Sequence, residues 1–178
     1  MKIDLSFSHS YEFRVLDELP TRKKIYYYPG ASNYGGSDGL LVELNSFSDD
    51  PWVGVFAFGN VSPKGITGIY TLPNPDKLCI VSRGQGYLVS IKSPTDWNKV
   101  DLIPVMDVLT ILPHGIIVFA NYTEIIAYDA FGIKWETGQL AWDGFKITEV
   151  TNNYMIGEYS ESEKKFKVDL LTGKLVIN

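Results

Sequence analysis

Cysteine occurs once in this chain, as Cys79, so no internal disulfide can staple it. It lies in Leu78-Cys79-Ile80-Val81, where a small apolar side chain suits a buried strand, and no neighbouring cation would turn it into a thiolate nucleophile. Histidine occurs twice, as His9 in Ser8-His9-Ser10-Tyr11 and His114 in Leu112-Pro113-His114-Gly115, both read as turns. Neither stands at ligand spacing from the cysteine or from the other, so no metal site is expected. No segment reaches the roughly 18 consecutive apolar residues of a membrane helix. The opening Met1-Lys2-Ile3-Asp4-Leu5-Ser6 has an early acid and no apolar run, unlike a secretion signal. A cytoplasmic location is therefore expected. Positive charge is also short: the net charge is −5 and the pI about 5.0. Arg22-Lys23-Lys24 and Lys164-Lys165 read as solvated strand ends, and no nucleic-acid partner is expected.

The motifs of nucleophilic and phosphate chemistry are missing too: there is no Gly-x-Ser-x-Gly elbow and no Gly-Lys-Ser/Thr loop. Carboxylate pairs such as Asp49/Asp50, Glu158/Glu161 and Asp143/Glu149 have no spacing that would mark an acid and a base. Ser48-Asp49-Asp50 lacks the acid-glycine spacing of a calcium loop. No catalytic residue and no cofactor is assigned.

What the chain has is alternation. Its 178 residues suit one domain, and 45% of them are hydrophobic and 13% aromatic, enough for a core. Apolar residues recur with period 2, which predicts strands over 2–8, 12–16, 23–28, 40–44, 52–58, 67–72, 78–82, 87–92, 108–112, 116–121, 124–128, 146–150, 154–159, 165–170 and 174–177. Gly84-Gln85-Gly86 suits a tight hairpin. Asp129-Ala130-Phe131-Gly132 and Asp169-Leu170-Leu171-Thr172-Gly173 each set an Asp ahead of a Gly, a turn in which the carboxylate accepts from nearby amides.

The strands repeat. A shift of 38 residues maps Pro75 onto Pro113, Leu78 onto Ile116, Leu88 onto Ile126 and Trp97 onto Trp135, and then Ile116 onto Tyr154. The offset reaches 40 at Asp129 and Asp169, and 41 at Gly132 and Gly173. A period near 40 with short strands predicts an all-β fold, a propeller-like array of three to four antiparallel blade units, with a β-sandwich as the alternative. The units are read as 62–100, 101–140 and 141–178, with 1–61 as divergent N-terminal strands, all within a single domain 1–178.

Asp50-Pro51-Trp52, Pro75–Val81, Gly84–Val89, Pro94–Trp97, Val118–Ala120, Ala127–Trp135, Trp142–Ile147 and Val168–Gly173 carry a resemblance to a group of uncharacterised bacterial proteins with propeller-like repeats. Ala127–Trp135 and Val168–Lys174 are also similar to the blade signature of quinoprotein-type and WD-type propellers. In those a Trp docks one blade against the next. The resemblance implies a scaffold. It implies no activity and no quinone cofactor.

Trp97 and Trp135 hold matching repeat positions and are assigned to packing between units, whereas Trp52 and Trp142 fall outside that match. Trp52 and Trp142 are therefore candidate anchors for a partner. Tyr34, inside the glycine-rich loop Pro29–Gly39, is a third candidate, because long loops without their own structure are often functional. Arg83, beside the Gly84-Gln85-Gly86 hairpin, is a fourth, placed to meet a carboxylate. The leading expectation is a non-catalytic protein-interaction module, in one version neutralising a basic protein partner. A small-ligand or carbohydrate binder and a hydrolase with dispersed carboxylates are the alternatives.

Overall fold

Alternating apolar residues become strands wherever one face can be buried. A computed structural model describes residues 1–36, 38–47, 49–59, 64–162 and 164–176. Among them the chain is all-β, with four separate sheets, none closed on itself, and helix confined to one 3-10 turn, Leu112–His114. Ser37, Ser48, Pro63 and Ile177, which fall within segments read from the sequence above, lie outside the described residues. The chain divides into two compact units, Met1–Val105 and Met106–Asn178.

The first unit holds β1 (Lys2–Asp4), β2 (Tyr11–Leu16), β3 (Lys24–Tyr28), β4 (Gly39–Ser46), β5 (Trp52–Ala57), β6 (Gly68–Thr71), β7 (Lys77–Ser82), β8 (Gln85–Ser90) and β9 (Trp97–Lys99). They form one sheet of order β2-β4-β5-β3 and another of order β1-β6-β7-β8-β9. Two pairings depart from the expected antiparallel units: β1 runs parallel to β6, and β3 runs parallel to β5. Both arise because a strand from earlier in the chain returns to the edge of a later meander.

The two sheets of this unit share one core, built largely of aromatic rings. Tyr28 stacks on Phe56 with ring centroids 4.6 Å apart, and meets Trp97 edge-on at 5.4 Å. Each buried polar tip must find an acceptor, since an unpaired one costs about 1–3 kcal/mol. The acceptors are backbone carbonyls of the other sheet or its flanking loops. Trp52 Nε1 donates to Ile91 O at 2.8 Å, Tyr28 Oη to Pro94 O at 2.7 Å, Tyr11 Oη to Lys77 O at 3.1 Å and Tyr87 Oη to Ala57 O at 2.9 Å. These bonds fix how the faces meet, which apolar burial alone would leave free to slide.

The second unit holds β10 (Asp107–Ile111), β11 (Ile116–Ala120), β12 (Ile125–Tyr128), β13 (Ile133–Glu136), β14 (Phe145–Val150), β15 (Tyr154–Tyr159) and β16 (Lys165–Asp169). They make two antiparallel meanders, β10-β11-β12-β13 and β14-β15-β16. Ile116, Val118, Ala127 and Trp135 from the first pack with Met155, Phe166, Val168 and Leu170 from the second. Trp135 Nε1 donates to Leu170 O at 2.9 Å.

Trp97 pairs across from Val89, and Trp135 across from Ala127, so the two stand at matching places in their sheets. Their surroundings differ. Trp97 is half-buried among Tyr28 and Tyr87, whereas Trp135 is buried with its N–H engaged. Leu78, Ile80 and Val89 face the sheet that precedes theirs in sequence, while Ile116, Val118 and Ala127, 38 positions on, face the one that follows.

Candidate functional site

An Asp at the end of a strand can hold the following turn by accepting backbone N–H groups, and a residue trapped in such a turn has no strand neighbour to pack on. The second unit does this twice. Asp129 Oδ1 accepts from the Phe131 N–H at 2.8 Å. Asp169 Oδ1 accepts from the N–H groups of Leu171 at 3.0 Å and Thr172 at 2.9 Å, and from Thr172 Oγ1 at 2.9 Å. These bonds, led by the Thr172 hydroxyl, hold the Asp169 carboxyl below the usual carboxylate range. Gly173, at φ +70°, closes the second turn, and a Cβ there would fall 2.7 Å from the Trp135 ring.

The product is a pair of apolar side chains aimed at solvent: Phe131 is 98% exposed and Leu171 62%. Gly173 abuts the ring of Trp135, which stands on the strand that leaves the Phe131 turn. Ile133, at the start of β13, is exposed as well. The same end of the unit carries the β10–β11 and β14–β15 turns, joined by a hydrogen bond between His114 Nε2 and Asn152 O. Leu112 and Val150, both exposed, border a groove of about 340 Å³ there. His114 is thus a brace between turns rather than a free imidazole.

The four residues singled out from the sequence, Trp52, Trp142, Tyr34 and Arg83, stand in four different settings. Trp52 is a correction: only 5% exposed, it is a core residue whose N–H is spent on Ile91, so it cannot anchor a partner. Trp142 is 81% exposed, at the end of its unit opposite Phe131. The loop holding it lies over the β11–β12 turn, where the Leu140 N–H donates to Thr123 O at 2.6 Å, and Asp143 N–H donates to Glu161 Oε1 at 3.0 Å. Tyr34 is 89% exposed in a loop tied back to β3, since Tyr27 and Ser32 exchange backbone hydrogen bonds at 2.7 and 3.3 Å.

Arg83 meets no carboxylate among the described residues. Its guanidinium lies 4.0 Å over the Phe58 ring. Its backbone, at φ +46°, forms the β7–β8 hairpin, clamped by Gly84 N–H donating to Ile66 O at 2.8 Å and Val105 N–H donating to Gly84 O at 2.7 Å. The cation stacks on an aromatic face because the hairpin leaves it no acid within reach.

Among the described residues no three His, Cys, Asp or Glu side chains gather to hold a metal. Asp49 accepts from Ser46 Oγ at 2.8 Å. Glu158 lies by register between Lys146 and Lys165 on the sheet face away from the core. Cys79 is fully buried, and burial pushes its thiol far up.

Phe131 and Leu171 are the residues the sequence reading passed over. Their signal was an apolar side chain at the second place after the Asp of a turn, where nothing in the strand pattern accounts for it.

No family model matches the sequence, and no curated protein matches it. Among solved structures, the chain is similar to one of a Saccharomyces cerevisiae Dbp5 variant bound to Nup159, a Gle1 variant, IP6 and ADP, at 11% identity and a TM-score of 0.43. It is similar to the crystal structure of the N-terminal domain of Nup159 at 12% identity and a TM-score of 0.43. The matches cover 99% of this chain but 53% and 52% of those chains, so this chain spans about half their length.

Proposed function

We propose that this protein is a non-catalytic, cytoplasmic interaction module that binds a basic protein through the Asp-turn rim of its second unit. The observation that carries the reading is the exposure of Phe131 and Leu171, each on a turn held by an Asp carboxylate. Exposed large apolar side chains at the tips of well-held turns serve as anchors, since a few such residues supply most of the energy of an interface. Their setting is acidic: Met106–Asn178 carries ten Asp and Glu against six Lys, a net −4 of the chain's −5. Complementary charge steers a basic partner toward the rim and suppresses acidic ones. The two sheets of that unit, read as blade-like repeats of about 40 residues, supply the frame for the turns.

Affinity capture from extracts of the native host tests this, with wild type run beside the double variant F131S/L171S. A partner of basic pI, retained by wild type, lost from the variant and weakened by raised salt, is the expected result. Equal retention by both proteins, or no partner on wild type, overturns the reading.

A further inference from the structure

In the first unit the chain must pass from β2 to β3, which lie at opposite edges of the sheet β2-β4-β5-β3. Residues 17–23 make that crossing, and three strand spacings are about 14 Å, within reach of seven residues. The crossing loop leaves a groove of about 510 Å³ between itself and the sheet. That volume is in the range of small-molecule sites.

Glu43 of β4 lies in this groove. By register it stands between Arg14 on β2 and Val53 on β5, with Ile25 of β3 beyond, so the row is charged toward the β2 edge and apolar toward the β3 edge. Its side chain is only 14% exposed, and its two oxygens are taken by different cations. Lys23 Nζ bonds Oε1, and Arg14 Nη2 bonds Oε2 at 2.9 Å. Lys23 foremost, then Arg14, hold the Glu43 carboxyl below its ordinary range.

One carboxylate does not exhaust two cations. An ammonium has three donors and a guanidinium five, and each has one bond to Glu43. Arg22 adds a third cation at the lip, in no ion pair among the described residues, and Glu18 a second acid, so the groove carries a net positive charge on an acidic protein. Leu16, Leu19 and Pro20 form the apolar part of its wall, with Thr21 beside them. Convergent donors beside an apolar wall are what a small amphipathic oxyanion needs.

We propose that this groove binds a small ligand bearing a phosphate or carboxylate group on a short apolar body. The oxyanion sits against Arg14, Lys23 and Arg22, and the apolar body lies along Leu16, Leu19 and Pro20. Glu43 is the internal counter-ion that holds Arg14 and Lys23 in place until the ligand adds its charge. The proposal is independent of the protein-binding rim.

Titration of the full chain with hexyl phosphate, hexanoate, inorganic phosphate and hexanol, followed calorimetrically, tests it. Saturable binding of hexyl phosphate or hexanoate, at least tenfold tighter than inorganic phosphate or hexanol, is expected, and the tighter of the first two identifies the headgroup. R22Q, at an exposed position that holds no ion pair, should weaken that binding about tenfold with unchanged thermal unfolding. E43Q, which keeps an acceptor and removes the competing charge, should tighten it several-fold, whereas a purely structural ion triad would gain nothing. Absence of saturation by both oxyanions, or an R22Q protein that binds as wild type does, overturns the proposal.

Discussion

Trp135 gives its indole N–H to the backbone carbonyl of Leu170 at 2.9 Å, across the junction of two sheets. In the first unit Trp52 does the same toward Ile91 at 2.8 Å. In each unit a ring fills the space between sheets while its polar tip fixes their register, so the large aromatic content is mostly structural. The proposed function draws instead on exposed apolar residues such as Phe131 and Leu171.

Replacing Trp135 or Trp52 by Phe removes a donor, leaves a buried carbonyl unpaired and opens a small cavity. Each substitution should cost about 2–4 kcal/mol. Urea unfolding read by circular dichroism checks this, and a loss below about 1 kcal/mol would mean the junctions relax around the gap.

Gly84 combines φ +83° with a site where a Cβ would lie 2.8 Å from Pro104 Cβ. G84A should therefore destabilise by more than the roughly 1 kcal/mol of left-handed strain alone. Thermal unfolding of G84A beside G115A, which has φ +59° and open space, separates the two contributions.

Burial pushes the Tyr87 hydroxyl from 10.0 up to about 12. Because the folded value is raised, its contribution is complete below pH 10 and is lost as pH rises through about 12. Stability should fall over that window, with phenolate absorbance appearing together with unfolding. Y87F should shift the alkaline limb upward.

Asp169 has the opposite sign. Its folded carboxyl is depressed by Thr172 and Leu171, so its contribution is present above the ordinary value of 3.8 and disappears as pH falls through the folded one. D169N should flatten the acid limb of stability against pH and leave the region above pH 5 (about one unit clear of that titration) nearly parallel to wild type. An unchanged acid limb would show that the turn does not depend on the charge.

Much of the strand pattern was legible because half-buried strands show their alternation: β2, β14 and β15 fall within one residue of the segments read for them. β9 and β13 were not read as strands. Trp97-Asn98-Lys99 and Ile133-Lys134-Trp135-Glu136 are too short and too exposed to show a period. The parallel partners of β1 and β3 were invisible for another reason, since pairing direction depends on which distant edge a strand reaches. The site was legible only in fragments. Trp142 and Tyr34 are exposed, but nothing local separates them from Trp52, whose burial depends on Ile91 presenting a carbonyl.

Hydrogen exchange at the four indole N–H groups, followed by nuclear magnetic resonance after transfer to heavy water, tests the division between docking and free aromatics most directly. The Trp52 and Trp135 signals should persist long after that of Trp142 has gone. Exchange of Trp52 or Trp135 as fast as Trp142 would contradict it.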